Sequence, residues 1–242
     1  MEAHQYKIRK QKELEESTNP YWSSYDLELK NACVKPVTRK EAEKIILEYE
    51  WLKCMPSIVF HCFGLFFKSK IDNTELCGGV VVFSNEYSDN TTNWDKYGYN
   101  GKMILLSRGV CLHWTPKNSN SKLIMAAIKL LPAKYEIVTC TIDPAAGEVG
   151  TIYQACNFYY VGVMRKQATR FGVRIDGKIY GSRSIRQKIG TIKKEEVMKH
   201  FPNAEIVNQK SKGRYFFFRN MKHKKTIESI IKPYPKRKKE SE

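Results

Sequence analysis

Residues 103–142 read MILLSRGVCLHWTPKNSNSKLIMAAIKLLPAKYEIVTCTI and carry the clearest secondary-structure pattern of the chain. The apolar run at 103–112 predicts a buried strand, and apolar residues at helical spacing predict a helix over 120–131. Pro132 ends that helix, and the run at 136–142 predicts the next strand. A strand, a helix and a strand in succession indicate an α/β or α+β sheet.

The same interpretation extends to both sides of this stretch. Thr38 opens a predicted helix, strands are predicted over 58–67 and 76–83, and a polar loop covers 85–101. A helix (148–156) and a strand (158–163) are expected next. Further strands (171–175, 178–180, 205–207 and 214–218) and helices (193–200 and 222–231) follow. The expected fold is a mixed central sheet flanked by helices, with an extension at the C-terminal end.

Charge is distributed unevenly along the 242 residues, whose formal net charge is +17. Residues 165–242 hold 23 Lys and Arg against 7 Asp and Glu, and the rest is almost neutral. We therefore expect a charged N-terminal arm (1–36), a catalytic core (37–164) and a basic, nucleic-acid-binding extension (165–242). A solvated lysine surface is the alternative, and an anionic membrane is disfavoured because no basic amphipathic helix stands out. The candidate phosphate contacts are Arg165, Lys166, Arg170, Arg174, Lys212, Arg214 and Lys222.

The cysteines and the hydropathy pattern suggest a cytoplasmic protein. The seven cysteines are odd in number and none has C-x-x-C spacing, which favours reduced thiols over disulfides or a structural zinc site. No apolar run reaches the length of a membrane span, and the charged N-terminus lacks the apolar segment of a signal peptide.

The predicted strand at 103–112 leads into the densest group of polar side chains. Arg108 is costly to bury within that strand unless it is paired, so it is either half of a structural ion pair or a functional residue. The predicted helix start offers free backbone N–H groups and a favourable dipole for an anion such as a cofactor phosphate. One of its serine or asparagine residues is expected to be an ordinary N-cap. The candidate cofactor-binding residues are Ser119, Asn120, Ser121 and Lys122.

A second group of candidates follows the predicted strand 136–142. Asp143 stands where that strand ends, the usual position for ligand contacts in open α/β sheets. Tyr153 lies in the next helix, where it either donates a proton or only packs its ring on the sheet. Among the histidines, His113 is the better candidate because it precedes the helix start, whereas His61 alternates within an apolar strand.

Two stretches, LLSRGVCLHWTPKNSNSKLI and DPAAGEVGTIYQACNFYYVG, together resemble the Mom family of phage proteins. The resemblance covers about residues 40–165. It implies an acetyltransferase-like (GNAT-type) fold, in which the strand after the central helix splays away to leave a cofactor cleft. It also implies modification of the exocyclic amine of adenine in DNA by a methylcarbamoyl-type or acyl-type group, which protects phage DNA from restriction. The family's functional positions fall on Arg108, Ser121, Asp143 and Tyr153, and acyl-coenzyme A and iron are the cofactors that the family implies.

This sequence departs from the family's pattern in two places. The segment 113–121 has no glycine, so the usual coenzyme A loop is absent. Glu50 and Trp51 stand where the family often has a functional His-Tyr pair, and with His113 they are our candidate substrate-binding residues.

The resemblance leads to a mechanistic hypothesis. The basic extension grips double-stranded DNA, and the target adenine leaves the stack to reach the enzyme. Trp51, Tyr97 or Tyr99 stacks on the base, Arg108 and Ser121 stabilise the donor, Asp143 orients or deprotonates the amine, and Tyr153 acts as the acid. The alternatives are an acyltransferase for another acceptor (a hypermodified base, RNA or a protein lysine) and a non-catalytic nucleic-acid-binding module. Whether the protein forms a homodimer is left open.

Overall fold

A computed structural model describes residues 2–18, 20–86, 97–163, 170–209 and 212–236. Within these residues the helices are α1 (His4–Glu15), α2 (Arg39–Tyr49), α3 (Ser119–Leu130), α4 (Thr151–Ala155), α5 (Ser182–Ile189) and α6 (Lys194–His200). The strands are β1 (Cys33–Pro36), β2 (His61–Lys68), β3 (Glu75–Ser84), β4 (Met103–Cys111), β5 (Ile137–Ile142), β6 (Tyr159–Val163), β7 (Arg170–Ile175), β8 (Lys178–Gly181), β9 (Glu205–Gln209) and β10 (Gly213–Phe218). Short 3-10 helices lie at Tyr21–Ser24, Pro144–Ala146 and Met221–Ile230.

The described strands form a seven-stranded central sheet with the order β1-β2-β3-β4-β5-β10-β6. The pair β4–β5 is parallel and the other neighbours are antiparallel, so the mixed central sheet predicted from the sequence is confirmed. The predicted strands and helices between residues 38 and 142 coincide with α2, β2, β3, β4, α3 and β5 to within a few residues at their ends.

The two parallel strands separate part of the way along their length. Pairing between β4 and β5 runs from Met103 with Ile137 to Leu106 with Cys140 and then stops. Beyond that point β4 pairs only with β3 across a bulge, whereas β5 stays paired with β10. A bulge bends a strand and increases its twist, which turns the end of β4 away. The resulting cleft is the splay that the resemblance to acetyltransferases implies.

Helices cover both faces of this sheet because the strand side chains alternate. Val81 and Phe83 of β3 pack in the core that includes α3, whereas Val80 and Val82 pack against Ile46 of α2 on the other face. A capping box at the start of α2 satisfies its first N–H groups, since the Thr38 side chain accepts from Glu41 N–H and the Glu41 carboxylate accepts from Thr38 N–H.

The strand pairing of the central sheet crosses both boundaries that were expected in the chain, near residues 36 and 165. Strand β10 lies within the central sheet between β5 and β6, so 213–218 belong to the core and not to a separate extension. A second sheet, β8-β7-β9, packs with α5 and α6 around its own core of Val173, Ile185 and Val197. The N-terminal arm includes helix α1, and strand β1 joins the central sheet.

No described helix is both long enough and apolar enough to cross a membrane.

Candidate functional site

A cavity of about 290 Å³ opens where β4 and β5 separate. Its walls come from the second half of β4, the end of β5, the loop 147–150 with α4, and the residues after α2. The described lining residues that carry polar or charged side chains are Gln5, Arg9, Glu50, Trp51, Ser107, Arg108, Asn120, Thr141, Asp143, Glu148, Thr151, Tyr153 and Lys212. The structure therefore brings together Glu50, Trp51, Arg108, Asp143 and Tyr153, which the sequence analysis chose from three separate segments.

Helix α1 forms part of the cavity wall, although the sequence analysis assigned no function to its segment. The Gln5 amide donates to Tyr49 O at 2.8 Å and its oxygen accepts from Trp51 N–H at 3.0 Å. Arg9 lines the cavity and donates to His113 O at 2.6 Å. Since the buried side chain of α1 is Ile8 alone, its sequence carries little periodic signal by which this role is recognisable.

Arg108 is held at the cavity wall by carbonyl and thiol groups. Its Nε donates to Cys54 O at 2.8 Å, one terminal nitrogen donates to Ser107 O at 2.7 Å, and the other contacts Cys54 Sγ at 3.2 Å. Among the described residues it forms no ion pair with a carboxylate, and it lines the cavity. Of the two expectations for Arg108, the structural ion pair is therefore not found in the described residues.

Three carboxylates also line the cavity, and Glu148 is the one that the sequence analysis did not single out. Burial raises the pKa of Glu50 to about 7, although Arg108 acts in the opposite direction. Burial likewise raises the pKa of Glu148. Glu148 accepts from Trp51 Nε1 at 3.0 Å and from Asp143 N–H at 2.7 Å, so both of its oxygens hold cavity walls together. The signal that predicts it is its place in the glycine-containing loop after β5, directly after Gly147 and two residues before Gly150.

Asp143 is buried, and its carboxylate is engaged within the protein. Oδ1 accepts from Ala145 N–H at 3.0 Å, which caps the 3-10 helix Pro144–Ala146, and Oδ2 is 3.8 Å from Lys212 Nζ. These contacts shape the loop that carries Glu148. They suit a positioning role better than proton abstraction, the other role expected of Asp143.

Tyr153 faces the cavity from α4. Its ring packs against Phe158 and Tyr215, and its hydroxyl interacts with the buried Cys140 thiol. Burial raises the pKa of Tyr153 well above its ordinary value, so the hydroxyl keeps its proton at neutral pH. It is therefore suited to donate a proton, as expected from the resemblance.

Gly150 is the N-cap residue of α4, and replacing this glycine by alanine is expected to destabilise the protein. Gly150 has φ +74°, and a Cβ there would lie 2.6 Å from the Tyr215 ring. We expect Gly150→Ala to lower the free energy of unfolding by about 3 kcal/mol, of which about 1 kcal/mol is the positive φ. Gly177→Ala is the matched control, because it has the same φ with no neighbour within 4 Å. Equal losses in urea unfolding of both variants would contradict the steric explanation.

The proposed cofactor-binding residues at the start of α3 separate into two groups. Asn120 lines the cavity. Ser119 is buried with its hydroxyl donating to Pro116 O at 2.8 Å, and the Lys122 ammonium donates to the carbonyls of Leu29 and Lys30. Ser121 lies outside the cavity lining, beside Cys156.

Two aromatic candidates lie away from the cavity. The His113 and Trp22 rings pack in a T-shaped arrangement with their centroids 5.0 Å apart. Neither of the buried His113 ring nitrogens has a hydrogen-bond partner among the described residues. The expectation that Tyr99 stacks on a substrate base is wrong. Its side chain is fully buried, and its hydroxyl donates to His223 O at 2.5 Å.

The candidate phosphate contacts are placed differently from one another. Arg165 and Lys166 lie outside the described residues, as does the side chain of Arg170. Arg174 pairs with Glu205 and Lys222 with Glu136 on the surface. Lys212 lines the cavity with a partly exposed side chain. Arg214 forms a buried ion pair with Glu86, which does not suit a surface phosphate contact. Arg214 points into the protein because strand side chains alternate and β10 is an interior strand.

The donor groups bear on the two implied cofactors. Within the described part of the chain, no three His, Cys, Asp or Glu side chains cluster so as to hold a metal ion, so the residues do not fit iron. For an acyl-coenzyme A, two of the residues expected to hold the diphosphate are engaged within the described part of the chain, since Ser119 donates to Pro116 O and Lys122 donates to Leu29 O. A left-handed Asn118 also stands before α3, where a glycine would be usual.

Several solved acetyltransferase structures resemble this one at low scores. Spermidine N-acetyltransferase from Vibrio cholerae is 8% identical with a TM-score of 0.41, covering 80% of this chain and 96% of that one. The IAA acetyltransferase from Bacillus cereus is 10% identical with a TM-score of 0.38, covering 78% of this chain and 99% of that one. A Bacillus subtilis acetyltransferase in complex with CoA is 11% identical with a TM-score of 0.35, covering 78% of this chain and 99% of that one. Similarities of this size assign no substrate or cofactor to this chain.

Comparison with sequences gives a firmer result. No curated protein sequence matches the chain. The model of the Mom protein family matches residues 31–236, a range that includes the central sheet, the small second sheet and all of the cavity except the part formed by α1. This match confirms the resemblance seen in the two stretches around Arg108 and Tyr153, and the chain belongs to the Mom protein family.

Proposed function

We propose that this protein is a transferase that modifies the exocyclic amine of adenine in DNA with a methylcarbamoyl-type or acyl-type group. The observation that carries the proposal is the convergence of Arg108, Glu50 and Tyr153 on one cavity. A cation, a carboxylate with a raised pKa and a protonated hydroxyl are the groups that transfer to an amine requires. Membership of the Mom protein family supports adenine in DNA as the acceptor.

The size and position of the cavity support a single flipped base as the acceptor. A volume of about 290 Å³ suits one base with a small transferred group and excludes a duplex. Trp51 forms part of its wall, but its ring is buried and its Nε1 is held by Glu148. Trp51 therefore suits the role of a wall of the base pocket, and it does not suit insertion between the stacked bases of DNA.

The basic second sheet supports DNA as the partner. Helix α5 lies beside the cavity, because Gln187 donates to Met55 O at 3.0 Å, close after Trp51 in the chain. Arg186, Lys188 and Lys193 of the same unit are exposed. Cations at the side of a base pocket hold the flanking phosphates while one nucleotide is extruded.

The chain's own residues divide the work as follows. Arg108 stabilises negative charge that develops on the donor oxygen, and Asp143 with Glu148 holds the loop that carries α4 in place. Tyr153 supplies a proton to the leaving group, since its hydroxyl stays protonated. A bound donor would supply the activated carbon that the amine attacks.

The test is mass spectrometry of nucleosides from plasmid DNA made in cells that produce the protein. We expect a new adenine-derived nucleoside, and a decrease of about 100-fold or more in Tyr153→Phe because the proton donor is lost. Tyr6→Phe is the matched control, since Tyr6 is exposed and outside the cavity. A new mass on another base would instead support the alternative acceptor, and DNA binding without any product would support a binding module.

A further inference from the structure

We infer that Glu50 is the general base that takes the proton from the acceptor amine. The inference rests on the proposed function and assigns a catalytic role that the resemblance gave to Asp143. It follows from how the three cavity carboxylates use their oxygens.

Two of these carboxylates already use both oxygens for contacts within the protein. Glu148 accepts one hydrogen bond on each oxygen, from Trp51 Nε1 and from Asp143 N–H. Asp143 uses one oxygen to cap a 3-10 helix and directs the other at the Lys212 ammonium. Both carboxylates therefore hold the cavity walls in place, and their oxygens are oriented toward protein groups.

Glu50 differs from both in its surroundings. One of its oxygens accepts from Leu52 N–H at 2.9 Å, and it forms no ion pair within the described residues. Only 7% of the residue is exposed, and it lines the cavity. The groups that face it are Arg108 from β4, Glu148 from the loop before α4, Tyr153 from α4 and the backbone N–H groups of Leu52 and Lys53. The second carboxylate oxygen is therefore left for a hydrogen-bond donor in the cavity.

The position of Glu50 is fixed by the fold. It follows the last residue of α2, where Glu50 N–H still bonds to Ile46 O, and the chain then turns so that Trp51 N–H meets Gln5 of α1. The backbone that carries the carboxylate is thus held by the end of α2 on one side and by Gln5 of α1 on the other. A catalytic group held in this way keeps its orientation without reorganisation.

The step balances as a transfer from an activated acyl-type donor to an amine. The exocyclic nitrogen forms a bond to the donor carbon, and the bond from that carbon to its leaving group breaks. The leaving group keeps the electron pair and takes a proton from Tyr153, while the proton on nitrogen moves to the Glu50 carboxylate. Glu50 then releases this proton to solvent and Tyr153 takes one from solvent, so both groups return to their starting states. A base whose pKa lies near neutrality performs such a transfer efficiently at physiological pH.

The experiment compares wild type with Glu50→Gln, Glu50→Asp and the matched control Glu48→Gln, which changes an exposed carboxylate on the same helix. The readout is the rate of nucleoside modification on duplex DNA between pH 5.5 and 8.5, with all four nucleosides measured. We expect the wild-type rate to rise with pH to a plateau. In Glu50→Gln the rate should be about 100-fold lower than in wild type and should no longer rise with pH. Glu50→Asp should retain the rise at a lower plateau, and Glu48→Gln should match wild type.

The outcomes separate the inference from the proposed function. Wild-type product with an unchanged rate and pH profile in Glu50→Gln overturns the role of Glu50 and leaves the proposed function standing. A wild-type product on a base other than adenine overturns the proposed acceptor, while the same variants still test the base. An absence of any modified nucleoside with wild type overturns both. DNA binding that matches wild type, together with an unfolding temperature at or above that of wild type, excludes misfolding of Glu50→Gln as the cause of a loss.

Discussion

Replacing Arg108 with alanine is expected to lower the rate of base modification by about 100-fold or more. The guanidinium is oriented by Cys54 O and Ser107 O, so its remaining N–H groups are fixed toward the cavity before a substrate binds. Donors that are preorganised in a site closed to water stabilise developing negative charge far better than solvated ones do. The loss of this cation also removes the charge that lowers the pKa of Glu50, so a smaller fraction of Glu50 is ionised at neutral pH and able to accept a proton.

Two variants make this result specific. Arg39→Ala is the matched control, because Arg39 also donates to backbone carbonyls, those of Pro56 and Ser57, but lies outside the cavity. Arg108→Lys keeps the charge and loses the forked geometry, so we expect an intermediate rate. Modification by Arg108→Ala at close to the wild-type rate would show that the cation has no part in the reaction.

The second large effect is a pH dependence of stability caused by Glu50. Its pKa rises from an ordinary 4.5 to about 7 on folding, so between these values the folded protein binds the proton more tightly than the unfolded chain. The free energy of unfolding therefore falls as pH rises through this window and levels off above it. A shift of this size corresponds to roughly 3 kcal/mol. Glu148, whose pKa is also raised by burial, contributes in the same direction.

Urea unfolding at pH 3, 4, 5, 6, 7 and 8 measures this effect. Glu50→Gln cannot ionise, so it should lack most of the fall and be more stable than wild type at pH 8 by up to about 3 kcal/mol. Glu136→Gln is a control of opposite sign. Hydrogen bonds from His223 and Lys222 lower the pKa of Glu136 to about 2, so its stabilisation is present at neutral pH and lost only as pH falls below 4.5. Parallel curves for wild type and Glu50→Gln would contradict the buried, weakly acidic state of Glu50.

Local sequence patterns predicted the helices whose ends are set by residues within a few positions, and the strands that are continuous apolar runs. Helix α2 begins at Thr38 because its capping box is encoded within four residues, and α3 ends at Leu130 before Pro132. The helix predicted over 148–156 was too long. A left-handed Gly150 delays α4 to Thr151, and Asp143 instead caps a separate 3-10 turn.

The elements that the sequence analysis missed depend on distant partners. Helix α1 reads as a charged arm, since it buries one residue, yet Gln5 and Arg9 complete the cavity wall. Arg214 reads as a phosphate contact, but Glu86 neutralises it inside the sheet across a long separation in the chain. No window of sequence contains both partners of such a pair, so its burial is not visible locally.

Periodicity, helix caps and motif spacing are local properties of the chain. They were enough to predict the mixed sheet with its flanking helices, the family, and the two stretches that carry Arg108, Asp143 and Tyr153. Tertiary structure alone decided that β10 enters the central sheet, that β4 and β5 part after Leu106, and which cavity carboxylate retains an open oxygen. Strand pairing and burial are set by contacts between segments far apart in the chain, and these contacts distinguish Glu50 from Asp143 and Glu148.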